Sequence, residues 1–101
     1  MAYERIVGLD ITDEAGYRRY REGMLPILAR YGGEFGYDFR VSEVLLAKTP
    51  EPINRVFTIS FPSREKMEAF FADPAYIAVQ RQHMAPSVGA RTIISLHEKD
   101  S

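Results

Sequence analysis

The sequence predicts an α+β domain in which helices cover one face of an antiparallel sheet. Hydrophobic residues alternate with period two in four segments and recur every three to four residues in two others, in the order β-α-β-β-α-β. The chain has 101 residues, which suits one such domain. Apolar residues make up 46% and charged residues 27%, a composition typical of a globular protein and not of a disordered chain.

The first strand and the first helix are predicted by a change in hydrophobic period. Residues 3–12 alternate between a fully apolar face and a mixed one, as a half-buried strand does. Residues 13–31 instead carry apolar side chains at spacings of three and four, which predicts an amphipathic helix. Thr12 or Asp13 can cap its first turn, and Gly32 can take the left-handed conformation that ends a helix.

Two further strands are predicted to form a hairpin. Residues 34–47 alternate over most of their length, and we expect a bulge or an exchange of pairing partner near Glu43, where the alternation breaks. The segment 49–54 predicts a turn, because its prolines favour turns and interrupt strand pairing. Residues 55–61 then show the clearest alternation in the chain and predict a strand.

The last part of the chain predicts a divided helix followed by a strand. Ser63 can cap a short helix, and Asp73 followed by Pro74 is typical of a second helical start. We expect this second helical segment to reach about His83. Residues 90–97 alternate again and predict the fourth strand.

The element order is that of the ferredoxin-like fold. Because both crossovers contain helices, we expect a four-stranded antiparallel sheet with two helices on one face and with the first and last strands adjacent. Residues 1–101 are predicted to form this single domain.

Sorting the strand residues by face predicts two different surfaces. The inner face, under the helices, is expected to contain Val7, Leu9, Ile11, Phe57, Ile59, Phe61, Ile94 and Leu96. The opposite or second face is expected to contain Ile6, Gly8, Asp10, Asp38, Arg40, Ser42, Val56, Thr58, Ser60, Arg91, Ile93, Ser95 and His97. This second face suits either a half-solvated sheet on a monomer or a symmetric homodimer in which two sheets pack together. We favour the homodimer because it would also protect exposed strand edges.

Three short motifs, each on the expected element, resemble a bacterial protein family. They are Tyr31-Gly32-Gly33 followed by Phe35, then Phe61-Pro62-Ser63, then Asp73-Pro74-Ala75-Tyr76, with Pro26 upstream of the first. In this order they are similar to the domain-of-unknown-function family 1330, within the dimeric α/β-barrel superfamily. The family often has Arg-Gly-Gly after the second strand begins, and only Arg40 of that motif is present. The resemblance implies the fold and a homodimer, and it implies no reaction.

Composition excludes several functional classes. Lys plus Arg (13) and Asp plus Glu (14) nearly balance, so no basic surplus indicates nucleic acid or an anionic membrane as a partner. The chain has no Cys, which excludes disulfides, thiolate catalysis and Cys-ligated metals. No apolar run approaches the ~20 residues of a membrane helix or the core of a signal peptide, so we expect a cytoplasmic protein.

Two charged residues on adjacent strands form the first candidate site. Because the first and last strands are predicted to be antiparallel neighbours, we expect Asp10 and Arg91 to lie close together on the second face. One interpretation is an ion pair that joins the strands. The other is that Arg91, together with Arg40, binds the carboxylate of an acidic ligand, since arginine suits planar, bidentate recognition.

The two histidines are candidates for proton transfer or for a polar role without chemistry. His83 is expected at the rim of the helix–sheet core, either as a polar rim residue or as a general base or haem ligand. His97 is expected at a solvated strand end. Neither has a Glu or His at ligand spacing on a helix, so we predict no metal site and no cofactor.

These residues predict a small-molecule-binding protein, or a cofactor-free enzyme, acting on a small acidic or aromatic metabolite. The alternative is a regulatory or protein-interaction module without catalysis. A ligand would lie between helices and sheet or between the two sheets of a dimer. In an enzyme, His83 or Asp10 would transfer the proton. The candidate ligand-binding residues are Arg40, Tyr76, Arg81 and Arg91.

Overall fold

The ferredoxin-like fold is confirmed by a computed structural model, which describes residues 2–100. The strands are β1 (Ala2–Ile11), β2 (Glu34–Arg40), β3 (Arg55–Phe61) and β4 (Val88–Lys99). The helices are α1 (Glu14–Arg30), α2 (Arg64–Ala72) and α3 (Pro74–Val79), and α3 continues into a π-helical turn over Gln80–Met84. The strands form one antiparallel sheet in the order β2-β3-β1-β4, with the first and last strands adjacent as predicted.

The core lies between the inner face of the sheet and the apolar stripe of α1. Tyr17, Tyr20 and Met24 follow one another at spacings of three and four on α1, and all three are buried. They pack with side chains from β1 and β3, among which Leu9 is fully buried. Burying one large apolar side chain contributes about 1.5–3 kcal/mol, so this layer is a major source of stabilisation of the fold.

The helices begin at side-chain caps of the predicted kind. Asp13 accepts a hydrogen bond from the Gly16 amide at 3.1 Å at the start of α1. Ser63 and Asp73 accept the corresponding bonds at the starts of α2 and α3, at 3.2 and 2.7 Å. Each cap satisfies an amide that the helix itself leaves without a partner. Among residues 2–100, no helix combines the length and the apolar character that a membrane span requires.

Steric constraints explain the two glycines of the Tyr31-Gly32-Gly33 motif. Gly32 has a φ of +71°, a left-handed conformation that residues with a β-carbon adopt at a cost. Gly33 passes so close to the side chains of Leu28 and Phe61 that an added β-carbon would overlap them. Both glycines are therefore needed for the chain to turn from α1 into β2.

The second strand is shorter than predicted. The sequence indicated a strand over 34–47, but β2 stops earlier and residues 41–54 form a loop. The expected bulge or exchange of pairing partner near Glu43 is wrong, because that residue lies in the loop. The apolar run that follows Glu43 has the composition of a strand, but in the loop its side chains are exposed to solvent.

Asn54 fixes the end of this loop because its side-chain amide makes the pair of hydrogen bonds that the backbone of a neighbouring strand would make. Its side-chain oxygen accepts a hydrogen bond from the Ile11 amide at 2.8 Å, and its side-chain nitrogen donates to the Ile11 carbonyl at 2.9 Å. The Asn54 backbone amide donates to the Leu9 carbonyl at 2.8 Å, and its carbonyl accepts from the Val41 amide at 2.9 Å. These bonds hold the two ends of the loop to the sheet.

A bulge in β2 reverses the predicted faces of that strand. Phe35 is opposite Ile59, as a regular register requires. Continuing that register would put Tyr37 opposite Phe57, but Asp38 is the residue found there. One extra residue in a strand exchanges the faces of all residues beyond it. The inner side of the sheet therefore carries Asp38 and Arg40, and the second face carries Tyr37 and Phe39.

A second bulge has the same effect on β4. The pairing of β4 with β1 shifts by one residue at Ile94. Arg91 is consequently opposite Leu9, and Ile93 is opposite Val7. Opposite residues on antiparallel strands share a face, and Leu9 and Val7 belong to the core. The predicted placement of Arg91 and Ile93 on the second face is therefore wrong.

Candidate functional site

A small cavity lies between the helices and the inner face of the sheet. Its volume is about 20 Å³, enough for roughly one water molecule. Most of its walls are aromatic rings and methionines, but two guanidinium groups also reach it. Its principal lining residues are Arg5, Tyr20, Met24, Phe71, Tyr76 and Arg91.

Arg5 is a charged residue in an otherwise apolar stripe of β1. It is opposite Ile59 on β3 and Leu96 on β4, and its guanidinium carbon lies 4.3 Å from the centre of the Phe71 ring. Its Nε is buried and has no hydrogen-bond partner. A buried donor left without a partner costs about 1–3 kcal/mol, and more when the group is charged. The Arg5 Nε is therefore a buried hydrogen-bond donor that an acceptor on a ligand could satisfy.

Arg91 brings a second positive charge to the same cavity. Among residues 2–100, no carboxylate lies within 4 Å of either Arg5 or Arg91. Burial and, to a smaller extent, the neighbouring Arg91 charge lower the pKa of Arg5. Arginine nevertheless stays protonated in proteins. Two guanidinium groups without a carboxylate partner therefore border the cavity, and of the two Arg5 is partly buried whereas Arg91 is exposed to solvent.

Two tyrosine hydroxyls complete the polar part of the cavity. The hydroxyl oxygens of Tyr20 and Tyr76 lie 2.9 Å apart and share a hydrogen bond. Burial raises the pKa of both phenols, so both are neutral at physiological pH. Neutral phenols can donate or accept hydrogen bonds beside the guanidinium groups without cancelling their charge. The arrangement is suited to binding an oxyanion, with an apolar wall for the rest of the ligand.

Two of the predicted site residues, Tyr76 and Arg91, are brought together here. The predicted pairing of Asp10 with Arg91 is wrong, since Asp10 is opposite Ala90 and points to the second face. There its carboxylate accepts a bond from the Asn54 side chain at 3.3 Å.

The other predicted residues lie outside this cavity. Arg40 borders a different pocket beside α1, and Arg81 is exposed on the π-helical turn. His83 is half-buried. Its backbone carbonyl accepts a hydrogen bond from Ser87 Oγ at 2.7 Å. Neither His83 nor Asp10 lines the cavity, so the structure does not place a predicted proton-transfer residue beside the two arginines.

One charged residue of the cavity, Arg5, was missed by the sequence analysis. A signal for Arg5 was present, because it shares the period-two stripe of Val7, Leu9 and Ile11. A charged side chain in line with three core positions is unusual and indicates a buried charge.

Comparison with known proteins identifies the family. The family model described as Domain of unknown function (DUF1330) matches residues 2–95, which is nearly the whole chain. The chain belongs to the DUF1330 family. The resemblance carried by the three short motifs is thereby confirmed. No curated protein matches this DUF1330 domain.

Solved structures with the same fold cover almost all of this DUF1330 domain. A protein of unknown function from Rhodopseudomonas palustris has a TM-score of 0.82 at 16% identity, covering 99% of this chain and 83% of the other. A DABB family protein with a ferredoxin-like fold from Mesorhizobium loti has a TM-score of 0.67 at 15% identity, covering 99% and 98%. A dimeric protein of unknown function from Bacteroides fragilis has a TM-score of 0.63 at 15% identity, covering 97% and 96%. At these identities the similarity establishes the fold.

Proposed function

We propose that this DUF1330 domain binds a small organic acid in the cavity between helices and sheet. The observation that carries the proposal is the buried, unpartnered Nε of Arg5 beside the second guanidinium of Arg91. Buried charges in proteins are usually paired, because an isolated one is costly. A carboxylate would supply the missing partner and could bond to both arginines at once.

The walls of the cavity favour an acid with an apolar or aromatic body. Phe71, Met24 and Met84 line it, and methionine side chains adapt readily to the shape of a ligand. A cavity of about 20 Å³ has room for roughly one water molecule, so an acid must displace neighbouring side chains or extend toward the surface. Phe71 is only partly buried, so its ring is the side chain best placed to move.

The acid-binding proposal is tested by calorimetric titration with benzoate and with benzamide, its neutral counterpart. We expect saturable binding of benzoate and none of benzamide. Arg91→Met should weaken benzoate binding by about tenfold or more, since a charge-assisted hydrogen bond contributes about 1.5–3 kcal/mol. Arg81→Met, which removes an exposed arginine outside the cavity, is the matched control and should bind like the parent protein. Equal binding by both variants would remove the proposal.

We also propose that the protein forms a homodimer through the second face of its sheet. The bulge in β2 puts Tyr37 and Phe39 on this face, where they stack with ring centres 5.7 Å apart and remain 66% and 56% exposed. Leu45 and Leu46 in the loop are 87% and 89% exposed. Exposed apolar groups beside an open strand edge favour association. The Bacteroides fragilis neighbour with this fold is described as dimeric, which supports the formation of a dimer.

The dimer proposal is tested by sedimentation equilibrium at micromolar concentration. We expect twice the 11.5 kDa mass of one chain. Phe39→Asp places a charge on the second face and should shift the mass to that of one chain. Leu25→Asp, on the exposed side of α1, is the control and should leave the mass unchanged. A parent protein that sediments as a single chain would refute the dimer.

A further inference from the structure

A second cluster of arginines lies where β2 and β3 approach α1. The Asp38 carboxylate is held between two of them, because Arg55 donates to its two oxygens at 2.7 and 2.9 Å and Arg21 donates at 3.2 Å. The hydrogen bonds from Arg55, the largest influence, lower the pKa of Asp38 below its usual value. Asp38 is therefore charged at neutral pH and fixes the direction of both guanidinium groups.

The two arginines are also held by aromatic rings. The guanidinium carbon of Arg21 lies 3.8 Å from the centre of the Phe35 ring, and its Nε donates to the Tyr17 hydroxyl at 2.9 Å. The guanidinium carbon of Arg55 lies 5.4 Å from the centre of the Tyr17 ring. Only 16% and 17% of the Arg21 and Arg55 side chains are exposed. Because both are already ordered, a ligand would bind them with little further loss of entropy.

Positive charge exceeds negative charge around this cluster. A pocket of about 240 Å³ is lined by Arg18 and Arg40 in addition to the two fixed arginines. Among residues 2–100, neither Arg18 nor Arg40 has a carboxylate within 4 Å. The carboxylates at the cluster are Asp38 and Glu14, and Glu14 lies 3.7 Å from Arg55. Four arginines against two carboxylates leave two positive charges.

We propose that this pocket binds a phosphate group, with Arg18 and Arg40 as its free cationic ligands. A phosphate monoester carries close to two negative charges at neutral pH, which matches the surplus, and arginine recognises its oxygens bidentately. The pocket is about ten times larger than the cavity beside Arg5, so it has room for a phosphate and part of an attached molecule. The two sites share no lining residue, so this proposal is independent of the acid-binding proposal.

The phosphate site is tested by titrating the protein with inorganic phosphate and with phenyl phosphate at constant ionic strength. We expect one saturable site, and Arg40→Gln should weaken it about tenfold because it removes a charge-assisted hydrogen bond. Arg19→Gln removes an exposed charge from the same region of α1 outside the pocket, and it should bind like the parent protein. Tighter binding of phenyl phosphate would identify a phosphorylated small molecule, and equal binding would identify free phosphate.

Further measurements separate this site from the acid site. Arg91→Met should bind phosphate normally, and Arg40→Gln should bind benzoate normally. Circular dichroism checks that Arg40→Gln is folded, and Arg18→Gln provides a second variant of the same pocket. Absence of saturable phosphate binding at millimolar concentration would overturn the proposal. Equal losses in Arg19→Gln and Arg40→Gln, or a loss in Arg91→Met alone, would also overturn it.

Discussion

Arg5→Met is expected to make the protein more stable and at the same time to weaken its binding of acids. In the free protein the Arg5 Nε is buried without a hydrogen-bond partner and the guanidinium has no carboxylate within 4 Å, so replacing it with an apolar side chain of similar length removes a cost. Exchanging buried charged groups for well-packed apolar ones often stabilises a protein by about 1–4 kcal/mol. Methionine also keeps a favourable contact with the Phe71 ring. We expect the free energy of unfolding to rise by about 1–3 kcal/mol.

The two readouts for Arg5→Met are denaturant unfolding, at one fixed protein concentration, and titration with benzoate. Benzoate affinity should fall about a hundredfold, because losing one partner of a buried charged hydrogen bond costs about 2–5 kcal/mol. Arg64→Met is the control, since the Arg64 side chain is 69% exposed in a surface ion pair with Glu68. Its stability should change by no more than about 0.5 kcal/mol. If Arg5→Met instead lowers the free energy of unfolding, Arg5 stabilises the fold and the proposed ligand-binding role is contradicted.

Phe70→Ala is expected to lower the free energy of unfolding by about 3–5 kcal/mol. The Phe70 side chain is 0% exposed, at the centre of an aromatic cluster. Its ring centre lies 4.4 Å from that of Tyr76, 4.9 Å from that of Phe71 and 5.5 Å from that of Phe61. Removing the ring leaves a cavity that these neighbours cannot fill. The loss is a large part of the roughly 5–15 kcal/mol that stabilises a typical domain.

Denaturant unfolding of Phe70→Ala, Phe70→Leu and Leu25→Ala measures this effect. Phe70→Leu retains part of the volume and should lose less, and Leu25→Ala removes a side chain that is 46% exposed and should lose least. Phe70→Ala should also bind benzoate more weakly, because Phe70 supports the Phe71 and Tyr76 rings that line the cavity. A loss below about 1 kcal/mol would contradict the central role of Phe70 in the core.

The element order was predictable because each boundary has a local signal. The caps at Asp13, Ser63 and Asp73 and the left-handed Gly32 mark helix ends by chemistry that involves only neighbouring residues. The end of β2 had no such signal. It is set by Asn54, which bonds to β1 across more than forty positions of sequence.

The faces of the strands were less predictable than their positions. Alternation assigns every residue of a strand to a face only if no residue is inserted, and both β2 and β4 contain a bulge. Each bulge moved an arginine, Arg40 or Arg91, from the predicted second face to the inner side of the sheet. The acid-binding role of Arg91 therefore stays a prediction. The charged residue that lies beside Arg91 is Arg5 and not the expected Asp10. A sequence pattern does not contain this information, because a bulge depends on how two strands pair.

The hydrogen bonds made by Asn54 also allow the loop 41–54 to change in sequence and length independently of the sheet. Since both ends of segment 41–54 are fastened to the sheet by Asn54 and Val41, the intervening residues contribute little to holding the strands in register. The entropic cost of a longer insert grows only slowly with its length. Homologues can therefore differ in the length and sequence of this loop without a change in the sheet. We expect related proteins to differ in their binding partners chiefly through this loop.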